Sequence, residues 1–174
     1  MSTLFSVRPA ADEYAAYYGR YIEQVPEGDV LSVLAEGLAE TTALLRSVPE
    51  ARASHRYAPG KWTLREVMGH IVDTERVFAN RAFRFARGDT QPIAGMEQDE
   101  YVRFAQFERR ALSSLIDEFE YLRRSNLELF RSFGEAELAR RGEASGYEVS
   151  VRAVIFIMAG HERHHRGVLR ERYL

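Results

Sequence analysis

An all-α four-helix bundle is the fold the sequence predicts, on three observations. Apolar residues recur at three- and four-residue spacing along nearly the whole chain. No stretch alternates with period two for long enough to mark a strand. Caps and breakers then cut the helical pattern into four long segments and a short lead-in helix, which is the element count of a bundle. The 174 residues suit a single domain across 1–174, one that buries roughly 70% of the surface of its extended chain.

The lead-in helix is expected between Asp12 and Val25, where Tyr14, Tyr17, Tyr18, Tyr21 and Val25 keep helical spacing until Pro26 and Gly28 end it. Asp29 is a natural N-cap for the first main helix. Its seam of Leu31, Leu34, Leu38, Thr41, Leu45 and Val48 runs to Pro49. Glu50 to Lys61, with Pro59-Gly60, reads as a loop. Thr63 and Glu66 then form a capping-box pair that opens the second helix, and Gly88 stops it. A loop with Pro92 and Gly95 runs to about Asp99. The third long helix covers roughly Arg109 to Phe133, with Leu112, Leu115, Phe119, Leu122, Leu129 and Phe130 among its apolar positions. A turn at Glu135 to Arg140 and a polar loop with Gly142 and Gly146 lead to Ser150, the expected cap of the last helix.

Composition narrows the function classes. Apolar residues at 45% and charged residues at 29% describe a folded globular chain. A net charge of −2 and dispersed arginines, with Lys61 the only lysine, argue against a nucleic-acid-binding surface. With no cysteine, disulfides, thiolate ligands and a cysteine nucleophile are excluded, so a metal must sit on nitrogen and oxygen. Residues 1–10 lack the apolar run of a signal peptide, and the longest apolar stretch, Ala153 to Gly160, is too short to cross a bilayer. A cytoplasmic protein without membrane attachment is the expectation.

The informative stretch is Gly160-His161-Glu162-Arg163-His164-His165-Arg166-Gly167. His161 and His165 are four residues apart on a helix and share one face, where their rings can converge on one ion. Chance alone gives about 0.14 such pairs at a fixed separation, so spacing permits chelation without establishing it. Both residues also lie mid-stripe among Val154, Met158, Val168 and Leu169, whereas His164 falls about 60° away, nearer the stripe's edge. The imidazoles of His161 and His165 therefore point into the bundle. His70, on the flank of the second helix's apolar face, is the third candidate. Three neutral imidazoles with open water positions suit Zn²⁺ or Ni²⁺. The competing account is three hydrogen-bonded core or surface histidines.

Three motifs in order carry a family resemblance: Tyr57-Ala58-Pro59-Gly60-Lys61-Trp62 leading into Gly69-His70-Ile71-Val72-Asp73-Thr74-Glu75-Arg76, then Arg84-Phe85-Ala86-Arg87-Gly88-Asp89, then Ala159 to Gly167. Over nearly its whole length the chain resembles the DinB/YfiT-like superfamily of metal-binding four-helix proteins. The resemblance implies a metal held by one histidine of the second helix and a His-x-x-x-His pair of the fourth, here His70, His161 and His165. It also implies a metal-dependent hydrolase or a thiol-dependent S-transferase acting on a small molecule, with a low-molecular-weight thiol as possible cosubstrate. It further suggests a homodimer, with no DNA contact. The ion is Zn²⁺ or Ni²⁺ before Fe²⁺ or Mn²⁺, and the alternatives are a metal-holding bundle without turnover and a metal-free interaction module.

Other residues have two readings each. Asp73, about 60° round the helix from His70, is better placed than Glu75, at about 140°, to orient a ligand ring, and the competing account for both is a solvated face paired with arginines. Glu162 is a candidate general base, but at about 100° round the helix from His161 it reads as structural. Trp62 reads as a core anchor more than a substrate platform. Lys61 either meets an anionic ligand or stays solvated. Arg81, near the His70 line, could bind a carboxylate or phosphate, though an intrabundle ion pair is the plainer expectation.

Overall fold

The computed structural model describes residues 4–174. The expected lead-in helix is broken into 3₁₀ turns at Ala11–Glu13 and Ala16–Tyr18 followed by a single α-turn, α1 (Gly19–Ile22). The cause is local: Glu13 is buried, its carboxylate accepts from the Ala10 N–H at 2.9 Å and the Ser150 hydroxyl at 2.6 Å, and Tyr14 is left extended.

Side-chain caps set the long helices. Asp29 Oδ1 accepts from the N–H groups of Leu31 (2.8 Å) and Ser32 (3.2 Å) to start α2 (Val30–Arg46). Thr63 Oγ1 accepts from the Glu66 N–H at 3.1 Å while Glu66 accepts from the Thr63 N–H at 2.6 Å, and α3 (Leu64–Ala86) follows. The 98–109 segment, which has no helix expected in it, holds α4 (Gln98–Ala105), ended by Gln106 in the left-handed region. Helix α5 (Leu112–Arg131) is capped from elsewhere in the chain, its Leu112 N–H donating to the Glu50 carboxylate at 3.0 Å. After the short α6 (Glu135–Ala139), the expected polar loop is instead a hairpin of β1 (Arg141–Ala144) and β2 (Tyr147–Ser150). Its turn, Ser145-Gly146, has positive φ at both residues (56° and 79°), the hairpin-favouring type I′ pattern. Ile93 adds a parallel bridge to Ala144. Ser150 then caps α7 (Val151–Val168), its Oγ accepting from the Ala153 N–H at 2.9 Å, and the helix widens into a π-turn at Leu169–Tyr173.

The long helices form a ring in which α3 packs on α5 and α7, and α2 packs on the same two. Two apolar cores fill it. One gathers Leu34, Phe85, Phe130 and Phe156, and the other Leu45, Leu64, Met68 and Phe119. Between them the four helices contribute buried polar residues at matching heights: Thr41 from α2, His70, Thr74 and Glu75 from α3, Arg123 and Asn126 from α5, His161, Glu162 and Arg166 from α7. Among the described residues no helix is long and apolar enough to cross a membrane.

Candidate metal centre

One side of this polar layer is an ion-pair network closed on itself. Arg123, 0% exposed, donates from Nε and Nη2 to the two oxygens of Glu75 at 2.8 and 2.9 Å, and from Nη1 to Glu162 at 2.9 Å and to the Leu34 carbonyl at 2.8 Å. Asn126 donates to Glu75 at 2.9 Å, while Arg166 and Thr41 donate to the other oxygen of Glu162. Glu162 is structural, as its helix position implied. The preference for Asp73 over Glu75 does not hold in the packing: Asp73 faces Glu118, Arg76 and Arg110, and burial, then Glu118, raise its carboxyl above the usual range. Glu75 is the buried carboxylate, paired with arginine, and no hydrogen bond joins either acid to a histidine of the cluster.

On the other side, His70 of α3 and His161 and His165 of α7 meet. His161 Nε2 lies 3.2 Å from His70 Nε2 and 3.2 Å from His165 Nε2, and the three nitrogens all fall within 4.8 Å of one another. A neutral imidazole nitrogen carries one N–H or one lone pair, so His161 Nε2 cannot satisfy both neighbours by hydrogen bonding. A shared cation can. Two nitrogens each about 2.05 Å from a tetrahedral zinc ion stand roughly 3.3 Å apart, close to the spacing found here. His70 and His161 are buried and His165 is partly buried.

The surroundings favour neutral rings with outward lone pairs. Burial pushes His70 down to about 4, and burial, then the neighbouring histidines, hold His161 and His165 well below the ordinary value of 6.5. Thr74 donates its hydroxyl proton to the His70 carbonyl at 2.7 Å, which leaves its lone pairs facing His161 Nδ1 at 3.4 Å. A proton on Nδ1 of His161 meets them and frees Nε2 for the cluster. Thr74, whose i+4 relation to His70 is visible in the sequence, is the side chain that faces a histidine of the cluster, where neither Asp73 nor Glu75 does.

Aromatic rings complete the walls. Trp62 lies 4.9 Å from His70 between ring centroids, so it packs in the core and touches the cluster at once, while Lys61 is exposed. Tyr21 and Phe78 meet His161 edge-on at 5.3 and 5.7 Å. Gly160 permits this: a Cβ there would overlap the Tyr21 carbonyl oxygen, so only glycine lets the lead-in segment lie against α7 at the histidines. His164 is partly buried and stacks edge-on against Tyr21 and His165 rather than joining the three nitrogens.

The cluster opens on a cavity of about 350 Å³ whose walls include His70, Thr74, Phe78, His161, Tyr17, Tyr18 and Tyr21 of the lead-in segment and, at the far end, Arg81 and Ser145. A larger cleft of about 620 Å³ lies elsewhere, on the outer face of α3 and α5, where Arg76 and Arg110 are already paired with Glu118. Arg81 differs from the ion pair expected of it. Its Nη2 donates to Ser145 Oγ at 2.9 Å, but Nε is buried without a partner, and among the described residues no carboxylate lies within ion-pair distance. Leaving such a donor unpaired costs about 1 to 3 kcal/mol.

A four-helix bundle with a three-histidine cluster opening on a cavity defines a class of candidate metal-site proteins. The chain belongs to the DinB superfamily, whose family model matches residues 34–169. In fold it is similar to YfiT from Bacillus subtilis, described as "a probable metal-dependent hydrolase with an unusual four-helix bundle topology", with a TM-score of 0.73 at 15% identity over 97% of both chains. It is also similar to a mycothiol-dependent maleylpyruvate isomerase, with a TM-score of 0.65 at 16% identity over 83% of this chain. This chain spans 61% of that isomerase. No curated protein matches in sequence.

Proposed function

We propose that the chain is a metal-dependent enzyme whose single divalent ion is held by His70, His161 and His165, with zinc or nickel preferred over iron or manganese. The observation that carries this reading is the convergence of three Nε2 atoms, two of the pairs at 3.2 Å, at the wall of a cavity. Three protein ligands leave coordination positions for water or substrate, the arrangement of catalytic rather than structural sites. An ion so held would supply Lewis-acid chemistry, lowering the pKa of a water for hydrolysis or of a thiol for S-transfer.

The chain's own residues do the rest. Thr74 fixes the tautomer of His161, while Phe78, Tyr21 and Trp62 exclude bulk water from the rings. Burial pushes the Tyr21 hydroxyl up to about 12, against the pull of Arg20, so at neutral pH it is an intact phenol. Its oxygen accepts from Arg20 at 2.8 Å, and its hydroxyl also pairs with that of Tyr17. His164, behind His165, is the candidate proton carrier. Hydrolysis follows the description of YfiT and thiol chemistry that of the mycothiol-dependent neighbour. A homodimer, touching through the exposed Tyr17 region, is part of the proposal and is checked by sedimentation equilibrium.

The test is an activity screen of the metal-loaded protein against esters and against electrophiles offered with low-molecular-weight thiols, with His70→Ala as control. Turnover that disappears in His70→Ala is the expected result. Turnover unaffected by that substitution contradicts a role for the cluster.

A further inference from the structure

We infer that the cavity takes a small molecule bearing a carboxylate, anchored by the Arg81 guanidinium at the end of the cavity away from the histidines. The inference rests on the reading of this cavity as the substrate site. Among the described residues three arginines are buried. Arg123 and Arg166 each have carboxylate partners at 2.8 to 2.9 Å, whereas Arg81, 5% exposed, has one hydroxyl. A guanidinium that is always charged, buried, without an anion and facing a cavity is built to receive one, and its planar fork matches a carboxylate.

The placement gives the ligand a shape. His70, Thr74, Phe78 and Arg81 follow one another along α3 at the cavity wall. Eleven residues separate His70 from Arg81, roughly 16 Å along the axis, and an arginine on a helix leans back toward the N-terminus and shortens the gap. The carboxylate and the reacting group are therefore several bonds apart, with tyrosine and phenylalanine rings beside the part between them. The exposed acids Glu97 and Asp99 at the rim oppose a dianion more than a monoanion, which favours a carboxylate over a phosphate. Arg20, whose guanidinium donates to the hydroxyls of Tyr17 and Tyr21 on the cavity wall, adds positive potential at the histidine end.

The test is calorimetric titration of the full chain, as purified and with its metal content measured separately, using phenylacetate, its neutral isostere phenylacetamide, and phenyl phosphate. The wild type should bind phenylacetate about tenfold or more tighter than phenylacetamide, and Arg81→Gln should bring the two within about twofold. Arg81→Lys, which keeps the charge but not the fork, should fall between them. It serves as the decisive variant should Arg81→Gln fail to fold. Equal binding of acid and amide by the wild type overturns the inference, as does a preference that survives in the variants, which would place the carboxylate elsewhere. Tighter binding of phenyl phosphate overturns the choice of carboxylate. Discrimination through Arg81 by a protein that retains no zinc after loading counts against the metal reading alone, and a zinc-retaining protein that does not discriminate counts against this inference alone.

Discussion

The polar layer between the two apolar cores has two sides that were built to opposite rules. On the side of Arg123, every charge is answered: Glu75 takes two hydrogen bonds from Arg123 and one from Asn126, and Glu162 joins Arg123 to Arg166 and Thr41. On the side of His70, groups are left over: three ring nitrogens face one another, His70 Nδ1 has no partner and Arg81 Nε has none. The same helices, α3 and α7, carry both sides. The closed side locks the two helices together through α5, and on our proposal the open side is where the protein binds something it does not itself contain. Completeness of pairing would then separate scaffold from site.

The contrast can be broken most violently from the closed side. Arg123→Met leaves two buried carboxylates without their cation and should cost about 3 to 5 kcal/mol of stability, read from urea unfolding. A small loss there would mean the network is not the clamp described.

The open side should reveal itself through pH. His70 titrates near 4 in the folded protein and near 6.5 when unfolded, and His161 and His165 are displaced in the same direction. The unfolded chain therefore takes up protons first as pH falls. Stability of the metal-free protein is fully present above about 6.5 and is lost on the way down to about 4, with His70 alone accounting for about 3 kcal/mol. Urea midpoints measured between those limits should show the loss, and His70→Gln should flatten part of it. A pH-independent midpoint would mean these rings are not buried neutral.

Smaller effects sharpen the comparison. Thr74→Val removes the hydroxyl facing His161 Nδ1 and should weaken zinc binding about tenfold in a competition titration. Arg81→Gln, in contrast to Arg123→Met, should leave stability within about 1 kcal/mol of wild type, because the lost bond to Ser145 is offset by removal of an unpaired buried donor. Thermal unfolding of the two arginine variants side by side decides whether the layer is as asymmetric as described.

Much of this was legible in the sequence because it is local. The Asp29, Thr63 and Ser150 caps, the starts of α2, α3 and α7, and the shared face of His161 and His165 all follow from residues within a turn or two. What a helix wheel cannot supply is the identity of the neighbouring helix. Glu75 lies at a wide angle from His70, yet α5 packs on its side and presents Arg123, while the nearer Asp73 meets only outer-face charges. The hairpin escaped because its four-residue strands, Arg141–Ala144 and Tyr147–Ser150, do not alternate between buried and exposed positions. That omission hid Ser145, which the turn carries to Arg81. Helix α4 escaped for a similar reason, since only Val102 of its eight residues is buried.

The most direct test of the central claim is elemental analysis of untagged wild type, His165→Ala and His164→Ala after loading with zinc and removal of excess. Wild type and His164→Ala should each retain about one equivalent, and His165→Ala, with one of three ligands gone, should retain little. A wild type that holds no metal, or a His165→Ala variant that keeps it while His164→Ala loses it, would contradict the assignment of the site to His70, His161 and His165.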